Sequence, residues 1–165
     1  MQTTAVCREV PDFSAYPDLV VIMLGMQVRT GYGLKTLLGL GKPIDAAGVG
    51  RPEGLLHYEN RIIFSLRPTH IGMRWYWRDI QSLEAWSKSD PHRIWWRDFL
   101  RDSRGTGFWH ETYHMRGGME AVYVDIGKPV GFSAFTPMVP AHGTMASRHR
   151  ALAPDSAPDL PDRIA

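Results

Sequence analysis

The chain of 165 residues holds a single cysteine, Cys7, so no disulfide can form within it. A fold without internal disulfides suits a reducing compartment, and the cytoplasm is the expected location. Long apolar runs are missing too. The longest, Leu19 to Met26, falls well short of the roughly 20 residues that cross a bilayer. Met1 to Asp18 is mixed and polar where a secretory leader would be apolar. Neither sign of charge is in excess: the formal net charge is +2, which does not make a nucleic-acid footprint. The expected partners therefore exclude membranes and nucleic acids.

Familiar catalytic signatures are equally scarce. Gly31-x-Gly33 has no third glycine at the spacing of a phosphate-binding loop. There is no Gly-x-Ser-x-Gly elbow, and no Cys-x-x-Cys-His for covalent haem attachment. One string, His110-Glu111-Thr112-Tyr113-His114, reads literally as the zinc-helix pattern His-Glu-x-x-His. Its aromatic and Thr content, between glycine turns, points instead to a strand. On a strand the two histidines share a face about 13 Å apart, too far to share one zinc. On a helix they would meet at one metal, so the exclusion stands or falls with the strand.

What is present is ordinary globular usage, 44% hydrophobic and 22% charged, enriched in large adaptable side chains: six Trp and eight Met. Such residues line pockets and interfaces, although a Trp-rich core accounts for them equally well. The length fits one domain with a tail. Residues 1–18 read as an N-terminal arm, 19–141 as the domain, and 142–165 as a flexible C-terminal tail of Arg, Asp, Pro and Ala that buries too little to order itself.

Within the domain, Leu19 to Val28 is apolar on both faces, as a strand covered on both sides would be. Leu34, Leu37, Leu38 and Ile44 recur at helical spacing, but Gly39, Gly41 and Pro43 interrupt them. The expectation is a short helix, a break and a further turn to about Ala47. Gly54 to Ser65 reads as a strand kinked near Asn60, and His70 to Arg78 as its neighbour after an Arg67-Pro68 turn. On that neighbour, Met73, Trp75 and Trp77 share one face, and Arg74, Tyr76 and Arg78 the other. Asp79 is a natural N-cap for a helix over Ile80 to Lys88. Asp90-Pro91 starts a second, with Ile94, Trp95, Phe99 and Leu100 inward. Gly107 to Met115 is the next strand, and Glu120 to Ile126 an added hairpin strand.

The order is strand, helix, strand, strand, helix pair, strand. This is the α+β ferredoxin-like pattern, an antiparallel sheet with helices on one face. One layer of helices cannot cover both apolar faces of the first strand, so a homodimer through the sheets, a dimeric α+β barrel, is expected.

These elements carry Leu-Gly-Met-Gln-Val at 24–28, Tyr-Trp-Arg at 76–78, Leu-Glu-Ala-Trp at 83–86 and Trp-His-Glu-Thr-Tyr at 109–113. Across roughly Leu19 to Ala141 the chain resembles the antibiotic-biosynthesis-monooxygenase-like proteins, typified by the polyketide monooxygenase of the fumagillin pathway. The resemblance implies a dimeric ferredoxin-like fold. For some relatives it also implies oxygen insertion into an enolisable or polyene substrate without flavin or metal. It further implies kinship of fold with haem-binding aldoxime dehydratases and haem-degrading enzymes.

The resulting expectation is a small oxygenase-type enzyme with a hydrophobic, conjugated substrate held between sheet and helices. Its cofactor is either none or haem. His110 would be the general base or anchoring ligand, since histidine exchanges protons near neutral pH. Arg74 would hold an enolate or carboxylate oxygen. Glu111 and Tyr113 would orient these groups if the strand is bulged, and otherwise face away. Met73, Trp75, Trp77, Trp96 and Trp109 would form the walls. For haem, the candidate ligands run His110, His114, His70, His92. Against these stand plainer readings: a satisfied rim histidine, an Arg74 salt bridge, core tryptophans, or a dimer that binds a hydrophobic ligand without catalysis.

Overall fold

The computed structural model describes residues 7–140, other than 91, 116, 117, 120, 122 and 126. Its centre is a four-stranded antiparallel sheet of β2 (Val20–Val28), β3 (Leu55–Leu66), β4 (Thr69–Trp77) and β5 (Thr106–His114). They lie in the order β3-β4-β2-β5. Helix α1 (Gly31–Val49) links β2 to β3, and α2 (Ile80–Lys88) with α3 (His92–Arg101) links β4 to β5. This is the ferredoxin-like α+β arrangement expected from the order of elements.

β2 is central because its side chains are apolar on both faces. Ile22 stands between Trp75 of β4 and Thr112 of β5, and Leu24 between Met73 and His110. Val20, Met73, Trp75, Trp77 and Leu83 form the main core on the helix side. Trp75 and Trp77 are 1% and 0% exposed. Burying such rings contributes about 1.5–3 kcal/mol each at the usual area coefficient. Trp77 Nε1–H has no hydrogen-bond partner among the described residues.

Local signals place most boundaries. The Thr30 hydroxyl caps α1 through Gly33 N–H, at 3.3 Å. The Asp79 carboxylate caps α2 through Ser82 N–H, at 2.7 Å. The kink expected near Asn60 is a bulge: the register of β3 shifts between Glu59 and Ile62, and Arg61 has φ +63°. Asn60 fills it, with its Oδ1 accepting from Trp75 Nε1 and its Nδ2 donating to Asp45, both at 2.9 Å.

Two expectations are corrected. α1 is one helix of 19 residues that runs through Pro43 without a break. A mid-helix proline costs on the order of 3 kcal/mol. The packing of Ile44 and Ala47 on the core, just past it, holds the helix in register. Among the described residues of the segment expected as a hairpin strand, Glu120 to Ile126, only β6 (Tyr123–Val124) is a strand, and it does not pair with β5. It joins β1 (Arg8–Pro11), which lies in the N-terminal arm and also pairs with β7 (Met138–Pro140), giving a second sheet of order β6-β1-β7. The expected C-terminal tail lies outside the described residues.

The second sheet and the turn of 3-10 helix at Gly131–Ala134 cover one end of the sheet face that the helices leave open. Phe132 meets Tyr76 edge-on at 5.3 Å, Phe135 packs on it at a tilt at 5.2 Å, and Phe135 also meets Tyr16 at 5.5 Å. Beyond this cap the open face carries Phe64, His70, Trp109 and Tyr113. Phe64 is 39% and Tyr113 46% exposed.

Candidate active site: a ring-lined cavity and a polar clamp

Between the sheet and the three helices lies a cavity of about 410 Å³. Its floor is Leu24, Met26, Met73 and Trp75 from β2 and β4. α1 supplies Gly39, Leu40 and Ile44, and α2 supplies Trp86. α3 supplies His92, Trp95, Trp96 and Phe99, and Phe108 closes the end on β5. Trp96 and Phe99 each pack at a tilt against Phe108, with centroids 5.6 and 5.4 Å apart. The polar side chains of the wall are Lys35 and Thr36 of α1 with Asp98, Asp102, Ser103 and Arg104. An apolar pocket with a few polar groups is the usual form of a small-molecule site.

His92 is the one histidine in this wall among the described residues. Its Nδ1 lies 2.9 Å from the carbonyl oxygen of Ser87. A carbonyl only accepts, so Nδ1 carries the hydrogen, and in the neutral ring Nε2 keeps its lone pair. The ring packs at a tilt against Trp86, with centroids 4.8 Å apart and planes 50° from parallel. A histidine held this way is oriented as a base or as a ligand.

The expected site residues divide between the two faces. Met73, Trp75 and Trp96 line the cavity. Trp77 belongs to the core beside it. His110 lies on the helix side, opposite Leu24, but it is exposed, and the cavity wall ends at Phe108. Trp109, Glu111 and Tyr113 face the other way, because β5 pairs with β2 residue by residue without a bulge. Tyr113 donates to the Glu111 carboxylate there, where both are exposed. Trp109 Nε1–H donates to His70 Nε2 at 2.8 Å. The literal His-Glu-x-x-His string lies on β5, a strand as expected. Among the described residues, no three His, Cys, Asp or Glu side chains gather as a metal site requires.

Arg74 also faces away from the cavity, into a polar clamp at the covered end of the opposite face. Its Nε and Nη2 reach Glu59 Oε2 at 2.8 and 2.7 Å. Tyr76 Oη–H donates to the same oxygen at 3.2 Å, and Gly131 N–H to Glu59 Oε1 at 2.8 Å. Burial opposes ionisation of Glu59, but Gly131 N–H and the Arg74 guanidinium outweigh it and hold the carboxyl below its usual range. Burial also pushes the Tyr76 hydroxyl well above its ordinary value. A carboxylate with this many donors is satisfied and has little left to offer a substrate.

His92 was legible only as the last of four haem candidates. The sequence pattern places α3's inward stripe at Ile94, Trp95, Phe99 and Leu100. In the structure Ile94 and Leu100 are 36% and 66% exposed, and the inward stripe is His92, Trp95, Trp96 and Phe99. The i, i+3, i+4, i+7 spacing from His92 was the available signal.

The family model of the af470-like monooxygenases matches residues 19–132. The chain belongs to the monooxygenase af470-like family. Among solved structures, the aldoxime dehydratase OxdRE in complex with butyraldoxime is similar at 26% identity and a TM-score of 0.66, over 83% of this chain and 40% of that one. A second aldoxime dehydratase is similar at 20% identity and a TM-score of 0.64, over 83% and 41%. The chain thus spans about two fifths of the length of these relatives. Weaker likeness, at 10% identity and a TM-score of 0.42 over 57% and 90%, extends to a mutant of SnoaB, a cofactor-independent oxygenase from Streptomyces nogalater. No protein in the curated comparison matches the chain. Among the described residues no helix is long and apolar enough to cross a membrane.

Proposed function

We propose that the protein is a monooxygenase-like enzyme of the fumagillin-pathway type that acts on a hydrophobic, conjugated, polyketide-like small molecule bound in the ring-lined cavity. The observation that carries this reading is His92: a half-buried, oriented imidazole with Nε2 free, in the wall of an aromatic cavity. His92 rather than His110 then takes the proton from an enolisable carbon of the substrate. The cavity rings stack on the conjugated system, and the polar residues of its wall hold the substrate's oxygen-bearing end. The resulting carbanion adds to molecular oxygen, the peroxide takes back the proton, and the hydroperoxide loses water with the carbon's second hydrogen, so that one oxygen stays on the carbon as a carbonyl; the aromatic walls screen the carbanion meanwhile.

The test is oxygen consumption with a panel of conjugated, enolisable ketones. His92→Ala should lower turnover by on the order of 10²- to 10⁴-fold, the range of a lost general base, with the melting temperature nearly kept. His110→Ala should leave turnover within about threefold of wild type, well under that range. A dead His110→Ala beside an active His92→Ala would move the chemistry to the exposed end of β5.

A second reading, haem binding, rests on the same histidine. One imidazole with its Nδ1–H tied to a carbonyl, in the wall of an apolar ring-lined cavity, has the donor chemistry to hold a haem iron. Haem would then supply the redox or Lewis-acid centre, while His92 holds the iron and the tryptophans pack the macrocycle. Titration with hemin separates the readings. A Soret shift that disappears in His92→Ala supports haem, and its absence in the wild type removes that reading. Under either reading the chain works as a homodimer through the open face around Phe64 and Trp109. Phe64→Asp should convert a sedimenting dimer to a monomer, and a wild-type monomer at micromolar concentration would refute the pairing.

A further inference from the structure

Helix α1 contains five glycines, at 31, 33, 39, 41 and 48, in a segment where each interior glycine costs roughly 0.5–1 kcal/mol relative to alanine. Packing explains two of them. A Cβ at Gly33 would lie 2.1 Å from the carbonyl oxygen of Gly105, and one at Gly48 would lie 2.8 Å from the ring of Tyr58. Gly31 is the first helical residue. At Gly39 and Gly41 an added Cβ meets nothing within 4 Å, so no neighbour forbids a side chain at either position.

The two differ in where that open space lies. Residues two apart on an α-helix point to nearly opposite sides, about 200° apart. Gly39 belongs to the cavity stripe with Tyr32, Lys35, Thr36, Leu40 and Ile44, whereas Gly41 does not line the cavity. Gly39 is itself exposed, so it stands where the cavity opens to solvent. A side chain there would extend from the cavity-lining stripe at its open edge.

We propose that Gly39 is the specificity-determining position of this site: its missing side chain sets the size of ligand that can enter. The inference rests on the cavity being the ligand site, as proposed above. It adds the substrate class: ligands too broad for a mouth narrowed by one alkyl group, such as fused or substituted ring systems. A thin, unbranched chain would not need the glycine.

The matched pair Gly39→Leu and Gly41→Leu tests it, with two probes of different size, 1-anilinonaphthalene-8-sulfonate and indole. Binding is read by calorimetry and by energy transfer from the cavity tryptophans. Gly39→Leu should raise the Kd of the larger probe by about tenfold, equivalent to ~1.4 kcal/mol. The indole Kd should change much less, and Gly41→Leu should change neither. Gly39→Ala and Gly41→Ala should both raise the melting temperature, since each removes a helix-weakening glycine.

Equal effects of the two Leu variants on both probes would overturn the assignment. So would lowered melting temperatures in both Ala variants with unchanged affinities, because the glycines would then serve to relax the helix before Pro43. If neither probe binds the wild type, the cavity reading fails together with this one. If both bind and the Gly39 variants discriminate nothing, only this one fails.

Discussion

The two faces of the central sheet solve opposite problems with similar residues. On the helix side, rings from β4, α2, α3 and β5 with Leu24 and Met26 of β2 leave about 410 Å³ unfilled, and His92 keeps an uncommitted Nε2. On the opposite side, rings from the N-terminal arm and the 3-10 turn close over Tyr76, and every polar atom of the Glu59 carboxylate has a donor. Both regions are rich in aromatics and both contain a histidine and a carboxylate. What separates them is saturation. A cluster whose hydrogen bonds are complete stabilises the chain it belongs to, whereas a cavity with an open imidazole still has bonding capacity for something outside it.

The sharpest break in that comparison is catalytic. Loss of His92 should cost turnover by at least about 100-fold. Glu59→Ala, in the saturated cluster, should leave turnover at 25 °C unchanged. Rates for the two variants measured side by side check this, and equal losses would erase the distinction between the faces.

Next in size is the stability effect on the clamp side. Glu59→Ala leaves the Arg74 guanidinium and Gly131 N–H without their acceptor, and should cost about 1–3 kcal/mol by urea unfolding. Arg74 is partly solvated, with 36% of its side chain exposed, which argues for the lower half of that range. His92→Ala should cost less. Gly131→Ala belongs to the same test. Gly131 has φ +57°, and a Cβ there would come 2.9 Å from the Tyr123 hydroxyl, so roughly 1–2 kcal/mol should be lost through strain.

A smaller effect is acid sensitivity of the clamp. Burial holds the His57 imidazole below its ordinary 6.5, and Glu59 is held below its ordinary 4.5. Depressed groups stabilise the fold above their unfolded values and lose that contribution as pH falls through their folded values. Melting temperature should therefore decline in two steps on acidification, the first starting below about 6.5 from His57 and the second below about 4.5 from Glu59. His57→Phe, which preserves stacking on Tyr76 and Phe135, should remove only the first step. A profile that stays flat to pH 5 in the wild type would contradict the burial of His57.

Legibility from the sequence follows the same divide. Strand alternation placed Met73 and Trp75 on one side of β4 and Arg74 and Tyr76 on the other, and the structure keeps that split. Asp79 marked a helix start because capping is local chemistry. The continuity of α1 was not legible, since the packing of Ile44 and Ala47 that overrides Pro43 is a tertiary fact. β1 was not legible either: a four-residue strand between partners near the other end of the chain leaves no local period. The cavity histidine was obscured by helix phase. Ile94 and Leu100 are apolar but face outward, and reading them as inward rotates α3 enough to displace His92.

The placement of β1 bears on the order in which the protein assembles. Glu9 lies beside Tyr123 and beside Pro140, so a segment near the start of the chain finds both of its partners near the end of the described residues. During synthesis at some 5–20 residues per second, the four-stranded sheet can pair as soon as β5 has emerged. Residues 8–9 must wait for residues 123–124, and the second edge, at residues 9–11, for residues 138–140. The cap over Tyr76 and the clamp on Glu59 are therefore late events, and loop closure over so long a separation makes them slow ones. A nascent chain halted before residue 131 would already hold every cavity-lining residue, yet its open sheet face would lack the Gly131 contact to Glu59.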